Sequence, residues 1–236
     1  MFVPCGDSVP DLKGCTLLMP AVCAGNVGQP AIDLIISKLN MCRIGYFSTD
    51  CLLPMVGNNP HATAEENSTE LSINAEVCAS PSKKLVALQL RSTFIKYKSK
   101  SFCEKLLSWV KSSDLSKVSV LSSSHSYLCD DLQPRSTPFR YLLTPSIPKE
   151  MEKSPCIPEI DDSEFRVSVR CSKGIPMAIL LKFISEGDSI PDALGLVGYL
   201  NEWLQLIKPC CDDPTESFTE SFLFVCLFFS FNNATN

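Results

Sequence analysis

The sequence has few of the residues that metal sites use in clusters. It contains two histidines in 236 residues, and no Cys-x-x-Cys pair occurs among its thirteen cysteines. Structural zinc sites draw their ligands from closely spaced cysteines and histidines, so we expect no metal site and no cofactor. An odd number of scattered cysteines also argues against a disulfide framework, and we interpret them as free thiols.

A basic stripe and a long hydrophobic run are also missing. Lys and Arg number 21 against 26 Asp and Glu, which gives a net charge of −5 and argues against nucleic-acid binding. The N-terminus lacks the basic and apolar regions of a secretory signal. The apolar run Phe222 to Phe231 has ten residues, about half of what a membrane helix needs. We therefore expect a cytoplasmic and nuclear protein that binds proteins or small molecules, with no membrane and no nucleic acid.

The most informative stretch runs from Thr16 to Leu39. Thr16 to Val22 is an apolar run as long as a buried strand, and the following turn contains Gly25 and Gly28, which are free to take positive φ. A helix is predicted next, with Asp33 in its first turn and one apolar face formed by Ile32, Ile35, Ile36 and Leu39. A strand that enters a helix through a glycine turn is the first half of a βαβ unit.

The glycine turn allows two interpretations. Helix N-termini bind phosphate, so the Gly25 to Gly28 turn could serve a small-molecule-binding or hydrolytic α/β enzyme. However, Gly-Asn-Val-Gly matches neither a dinucleotide-binding fingerprint nor a P-loop, which favours a structural turn. His125 follows three serines, but no nucleophile-elbow motif surrounds them. The hydrolase therefore remains the alternative, and a protein without catalytic residues is preferred.

The remaining patterns predict a mixed, mostly parallel sheet with helices. A strand over Arg43 to Thr49 is expected to pair in parallel with the first strand, and a hairpin is expected at Ser80-Pro81-Ser82. Ser101 and Glu104 form a capping box for a helix that ends at Ser112. Further strands are predicted at 71–77, 84–90, 117–121, 139–143 and 165–169, and a C-terminal helix pair at 176–186 and 189–207.

Two residues and one segment are singled out for function. Trp203 lies near the end of the last predicted helix and is either core or an interface anchor. Thr137 precedes a proline and follows Arg135, so it is a candidate phosphorylation site. The composition changes after Pro214, which predicts a single α/β domain over residues 1–213 and a divergent hydrophobic segment over residues 214–236.

Several long runs resemble the proteasome assembly chaperones. They include MFVPCG at 1–6, TLLMPAV at 16–22, STELSINAEV at 68–77, FCEKLLSWVKSS at 102–113, RSTPFRYLLTP at 135–145 and CIPEIDDSEF at 156–165. The resemblance covers about nine tenths of the chain. The chain differs from the family by a shortened region over residues 146–175 and by its sequence after about Thr215, where the family's C-terminal docking tail is missing.

The resemblance implies a non-enzymatic chaperone with a three-layer α/β sandwich similar to the nucleoside phosphorylase-like folds. It implies a heterodimer with proteasome assembly chaperone 1. It further implies that this pair collects the alpha-type subunits of the 20S proteasome into their ring and restrains alpha rings from dimerising off the assembly pathway.

Overall fold

The computed structural model describes residues 1–6, 9–61, 69–128, 138–145, 174–185 and 187–206. Ten strands lie within these residues: β1 Phe2–Pro4, β2 Thr16–Pro20, β3 Cys42–Phe47, β4 Val56–Asn58, β5 Leu71–Ile73, β6 Ala75–Ser80, β7 Leu85–Leu90, β8 Lys117–His125, β9 Phe139–Leu143 and β10 Met177–Ile184. The same residues form three α-helices: α1 Gly28–Lys38, α2 Ser99–Ser112 and α3 Ile190–Leu204.

Eight strands form one mixed sheet in the order β1-β3-β6-β7-β2-β8-β10-β9, and β4 pairs with β5 as a separate two-stranded ribbon. The central strands β7, β2, β8 and β10 are parallel, whereas both flanks are antiparallel. The predicted mixed sheet and the hairpin between β6 and β7 are confirmed, but the sheet is not mostly parallel, since three of its strand pairings in the described residues are parallel and four are antiparallel. The predicted parallel pairing of strand 43–49 with the first strand is wrong. β3 lies between β1 and β6, antiparallel to both, because the connection through α1 crosses over the positions that β7 and β6, which come later in the chain, fill between β2 and β3.

Both faces of the sheet are covered, which gives three layers. Leu17 and Met19 of β2 belong to the core beneath α2, whereas Leu18 belongs to the core beneath α1 and α3. Successive side chains of a strand point to opposite faces, so a strand buried on both sides needs apolar residues throughout. The predicted three-layer α/β sandwich is confirmed.

The predicted helix over Pro176 to Glu186 is wrong, because this stretch forms strand β10. β10 pairs in parallel with β8 along its full length, from Met177 opposite Val118 to Ile184 opposite His125. The sequence of a strand that is buried on both faces is a continuous apolar run. Such a run also has apolar residues at the spacing of a helix face, so the pattern does not separate the two. The predicted C-terminal helix pair therefore contains one helix, α3. The predicted strand over 165–169 lies outside the described residues.

Two predicted boundaries also change. Helix α2 begins at Ser99, and no side chain caps it, so Ser101 and Glu104 lie inside the helix and the predicted capping box is wrong. The predicted strand 71–77 divides at Asn74 into β5 and β6. The division matters because β5 leaves the main sheet to pair with β4.

Candidate functional site

The glycine turn lies at the carboxyl end of β2, between the central strands and α1. Gly25 has a φ of +63°, as predicted, and a Cβ built on it would lie 2.5 Å from Cδ1 of Ile184. Gly28 begins α1 without a positive φ, so that part of the prediction is wrong. Gly28 is needed for a different reason, because an added Cβ would lie 2.6 Å from the carbonyl oxygen of Leu121. The turn is thus closely packed against β8 and β10.

Sulfur and hydroxyl groups meet beside this turn. The Ser123 amide donates to the Cys23 thiol at 3.2 Å, and the Ser123 hydroxyl lies 3.0 Å from the same sulfur. Two residues further along, the His125 ring stacks on Tyr127 with a centroid distance of 5.0 Å and an interplanar angle of 14°. The serine-rich strand end therefore places a thiol, not the imidazole, against the Ser123 hydroxyl.

A chain of buried ions, which the sequence reasoning missed, links α1 to the antiparallel half of the sheet. The Asp33 carboxylate has no solvent exposure and accepts two hydrogen bonds from the Arg91 guanidinium, at 2.8 and 3.0 Å. Nε of Arg91 donates to the Glu76 carboxylate at 3.2 Å. Glu76 also accepts from Arg43 at 3.4 Å and from the Ser72 hydroxyl at 2.7 Å.

The electrostatics of this chain keep Asp33 ionised. Burial, the largest single influence, would raise the pKa of Asp33, but the charges and hydrogen bonds of Arg91 and His61 together outweigh burial and hold the pKa well below its usual value. His61 acts in the same direction, with its Nε2 atom 3.2 Å from the carboxylate. Asp33 and Glu76 each bind positively charged or donor groups, so the arrangement braces α1 against the sheet and leaves neither carboxylate free for acid–base catalysis. The prediction that Asp33 serves the helix dipole is wrong, since the first turn of α1 has no acidic residue.

Exposed apolar side chains gather on the β4–β5 ribbon. Val56 pairs with Ile73, and Asn58 with Leu71, so these four residues share one side, which we call the outer ribbon face. Val56 is 65% exposed and Leu71 is 56% exposed. Large apolar side chains that remain in water on one face are typical of a surface that binds another protein.

Trp203, the predicted interface anchor, lies near the C-terminal end of α3. Its side chain is half-buried against the core beneath α1 and α3. The ammonium group of Lys117 lies 5.2 Å from the centre of its ring, and burial lowers the pKa of that lysine. The interface role of Trp203 stays a prediction. Thr137, the predicted phosphorylation site, lies outside the described residues.

Neither a metal centre nor a membrane helix is evident in the described part of the chain. No group of three or more His, Cys, Asp or Glu side chains there could hold a metal ion. None of the helices among these residues has the length and apolar character to cross a membrane.

Comparison with known proteins decides the family. The sequence profile of the PAC2 family matches residues 17–202. The chain belongs to the PAC2 family. It is similar to PAC2-family proteins named proteasome assembly chaperone 2, with 74% identity to the protein from Bos taurus and 69% to the protein from Homo sapiens. Each comparison covers 92% of this chain and 91% of the relative.

The PAC2-family fold also occurs in solved structures. The structure of Pyrococcus furiosus PbaA, described as an archaeal homolog of proteasome-assembly chaperone, superposes with a TM-score of 0.64. The superposition covers 96% of this chain and 90% of PbaA at 13% sequence identity. At that identity the likeness shows the fold alone.

Proposed function

We propose that this protein is a proteasome assembly chaperone. The observation that carries the proposal is the 74% identity to a proteasome assembly chaperone 2 across nine tenths of both chains. Two proteins that agree so closely over the whole α/β domain share its surface as well as its core. On this proposal the protein acts by binding other proteins and not by catalysing a reaction.

We propose proteasome assembly chaperone 1 as its partner in a heterodimer, and the alpha-type subunits of the 20S proteasome as the cargo. The pair would promote formation of the alpha ring and restrain its off-pathway dimerisation, in the cytoplasm and nucleus. The outer ribbon face supports a role in protein binding, because it leaves Val56 and Leu71 largely in water. Trp203 is the proposed anchor, since tryptophan is enriched among residues that dominate binding energy.

The geometry of the glycine turn weakens the small-molecule alternative. Ile184 packs where a Cβ on Gly25 would lie, and the backbone of β8 approaches Gly28. A nucleotide phosphate needs free backbone amides and open space at a helix N-terminus. Saturable binding of a nucleotide by the purified protein would support the small-molecule-binding enzyme instead.

Co-expression tests the proposal. The full chain is produced together with proteasome assembly chaperone 1, and complexes are separated by size-exclusion chromatography, with and without alpha-type subunits. We expect a one-to-one heterodimer that recruits alpha subunits. Two monomeric species that elute separately, under conditions where each chain is folded, would contradict the proposal.

A matched pair of variants tests the anchor. Trp203→Ala should weaken heterodimer formation about thirtyfold or more, since anchor residues contribute about 2 kcal/mol or more. Glu202→Ala changes the exposed neighbouring position and should leave binding unchanged. Because Trp203 also packs on the core, Trp203→Phe and thermal melts separate lost binding from lost folding. Binding that is unaffected in a stable Trp203→Ala variant would assign Trp203 to the core alone.

A further inference from the structure

An open groove lies at one edge of the sheet, where β1 meets the C-terminal half of α2. Its volume is about 600 Å³, within the range of sites that hold small ligands or peptide side chains. Its lining includes Met1, Phe2 of β1, and Lys105, Ser108, Trp109 and Ser112 of α2. We call it the β1–α2 groove. None of the sites discussed above uses it.

The backbone of β1 offers unpaired hydrogen-bonding groups to this groove. Met1 and Ser48 exchange backbone hydrogen bonds, and the Cys5 amide donates to Ile44 at 2.9 Å. Alternate residues of an antiparallel strand point their backbone groups to the same side, so Met1, Val3 and Cys5 face β3. The N–H and C=O of Phe2 and the C=O of Pro4 therefore point away from the sheet. In the described part of the chain, no strand pairs with this outer edge of β1.

Aromatic rings form the apolar part of the lining. Phe2 stacks on Trp109 with a centroid distance of 5.7 Å and an interplanar angle of 20°. Trp109 is held in turn by Phe47, at 5.6 Å, and is only 7% exposed, so the stack is anchored in the core beneath α2. A strand added to β1 would place alternate side chains over this stack. One of those side chains would fit best as a phenylalanine or a large aliphatic residue.

The charge of the groove favours an acidic occupant. Lys105 is the charged side chain of its lining, and the serine hydroxyls can donate hydrogen bonds. Asp50 pairs with Lys105, but it also pairs with Lys98 at 2.8 Å. Two ammonium groups thus share one carboxylate, so Asp50 cannot neutralise both, and Lys105 is the one of the two that lies in the lining. A carboxylate on the occupant would balance the charge of Lys105.

We propose that the β1–α2 groove binds an extended segment of a partner polypeptide by strand addition to β1. The segment carries an aromatic or large aliphatic side chain over the Phe2–Trp109 stack, and an acidic side chain two residues away that reaches Lys105. Alternation along a strand places both side chains on the same face. Backbone pairing supplies affinity, and the two side chains supply selectivity. This inference does not depend on which protein donates the segment.

The test uses a fluorescent synthetic peptide, Thr-Val-Phe-Val-Glu-Thr, titrated with the full chain in a polarisation assay. Its Phe and Glu lie on one face when the peptide is extended. Methylating the backbone nitrogens of both the Phe and the second Val removes a donor to β1 whichever way the peptide runs, and it should abolish binding if the peptide pairs as a strand. Replacing Glu by Lys should weaken binding about tenfold at low salt. Equal binding of all three peptides would overturn the proposal.

Variants of the protein locate the site. Ser108 is exposed within the groove, so Ser108→Tyr should fill it and weaken binding about tenfold or more, whereas Ser99→Tyr, exposed on the same helix outside the groove, should change binding less than about twofold. Lys105→Glu should weaken binding of the peptide that carries Glu and strengthen binding of the peptide in which Lys replaces it. A thermal melt of each variant shows whether the variant is folded, so that lost binding is not mistaken for unfolding. Equal affinities for Ser108→Tyr and Ser99→Tyr would overturn the proposal.

Two further measurements identify the binding mode and the occupant. Peptide addition should slow hydrogen exchange of the outward Phe2 amide, while the Val3 amide, which already faces β3, should change little. An unchanged Phe2 amide would overturn strand addition. Sedimentation of the full chain tests for self-association. A dimer that Ser108→Tyr dissociates, with no peptide binding, would show that a second copy of this chain occupies the groove and would overturn the peptide assignment.

Discussion

Replacing Asp33 by asparagine tests whether the buried ion chain braces α1 against the sheet. Asparagine keeps the shape of the side chain and removes its charge. Arg91, whose side chain is 8% exposed, then retains Glu76 but loses the carboxylate that binds it through two nitrogens. His61 loses the same partner. The change therefore leaves a buried guanidinium only partly compensated.

The expected loss of stability follows from that partial compensation. Removing one partner of a buried ion pair usually costs about 3–5 kcal/mol, because the other charge stays in the protein interior. Glu76 still lies 3.2 Å from Arg91, so we expect the lower end of this range, about 3 kcal/mol, for Asp33→Asn. The free energy of unfolding of a domain is about 5–15 kcal/mol in total. The variant should therefore remain folded but unfold at a clearly lower denaturant concentration.

Urea denaturation at pH 7 measures the effect, and an exposed ion pair provides the control. Lys13 lies 3.1 Å from Asp114, but their side chains are 72% and 68% exposed. Exposed pairs contribute about 0–1 kcal/mol, so Lys13→Ala should change the free energy of unfolding by less than about 1 kcal/mol. A similarly small change for Asp33→Asn would refute the bracing role of the ion chain.

The dependence on pH gives a second test of the same reasoning. The pKa of Asp33 is depressed in the folded protein, so its stabilising effect is complete above the pKa of about 3.9 in the unfolded chain. The effect is lost as the pH falls from there toward the folded-state pKa. The difference in the free energy of unfolding between the native protein and Asp33→Asn should therefore shrink by about 1 kcal/mol between pH 5 and pH 3. A difference that does not shrink would show that charge is not its cause.

Three further outcomes are expected. Gly28→Ala should lower stability by about 1–3 kcal/mol because the added Cβ meets the backbone of β8, whereas Gly57→Ala, with open space around it, should have little effect in the same denaturation assay. Phosphopeptide mapping should find Thr137 modified, and repeated coverage of an unmodified peptide would count against that site. Truncation after Thr215 should raise the soluble yield without weakening partner binding, because it removes an uncharged apolar run. Loss of partner binding in the truncated chain would instead assign that run to the interface.

Local patterns predict the elements whose partners are near in sequence. The glycine turn and helix α1 follow from apolar spacing between Thr16 and Leu39, and the β6–β7 hairpin follows from the turn at Pro81. Strand β10 could not be separated from a helix in this way. Its apolar residues face two different cores, and nothing local reveals that both faces are buried.

The ion chain could not be predicted, because its members come from distant parts of the sequence. Asp33 and Arg91 are 58 positions apart, and the sequence pattern suggests a first-turn acid at Asp33, whereas α1 begins five residues earlier, at Gly28. Gly28 illustrates a similar limit. The sequence identifies a glycine at a turn, but only the fold brings the Leu121 carbonyl against it and shows that space, and not a positive φ, requires the glycine.

The central position of β2 has a consequence for how the protein is made. Thr16 pairs with Leu85 on one side and with Lys117 on the other, so its two neighbours are synthesised about seventy and one hundred residues later. A ribosome adds roughly 5–20 residues per second, so β2 waits several seconds for its first neighbour and longer for its second. During that time α1 can cover only one side of β2, and Leu17 and Met19 on the other side stay open to water. The strand that forms the middle of the sheet is therefore complete in sequence long before the strands and the helix that bury it exist.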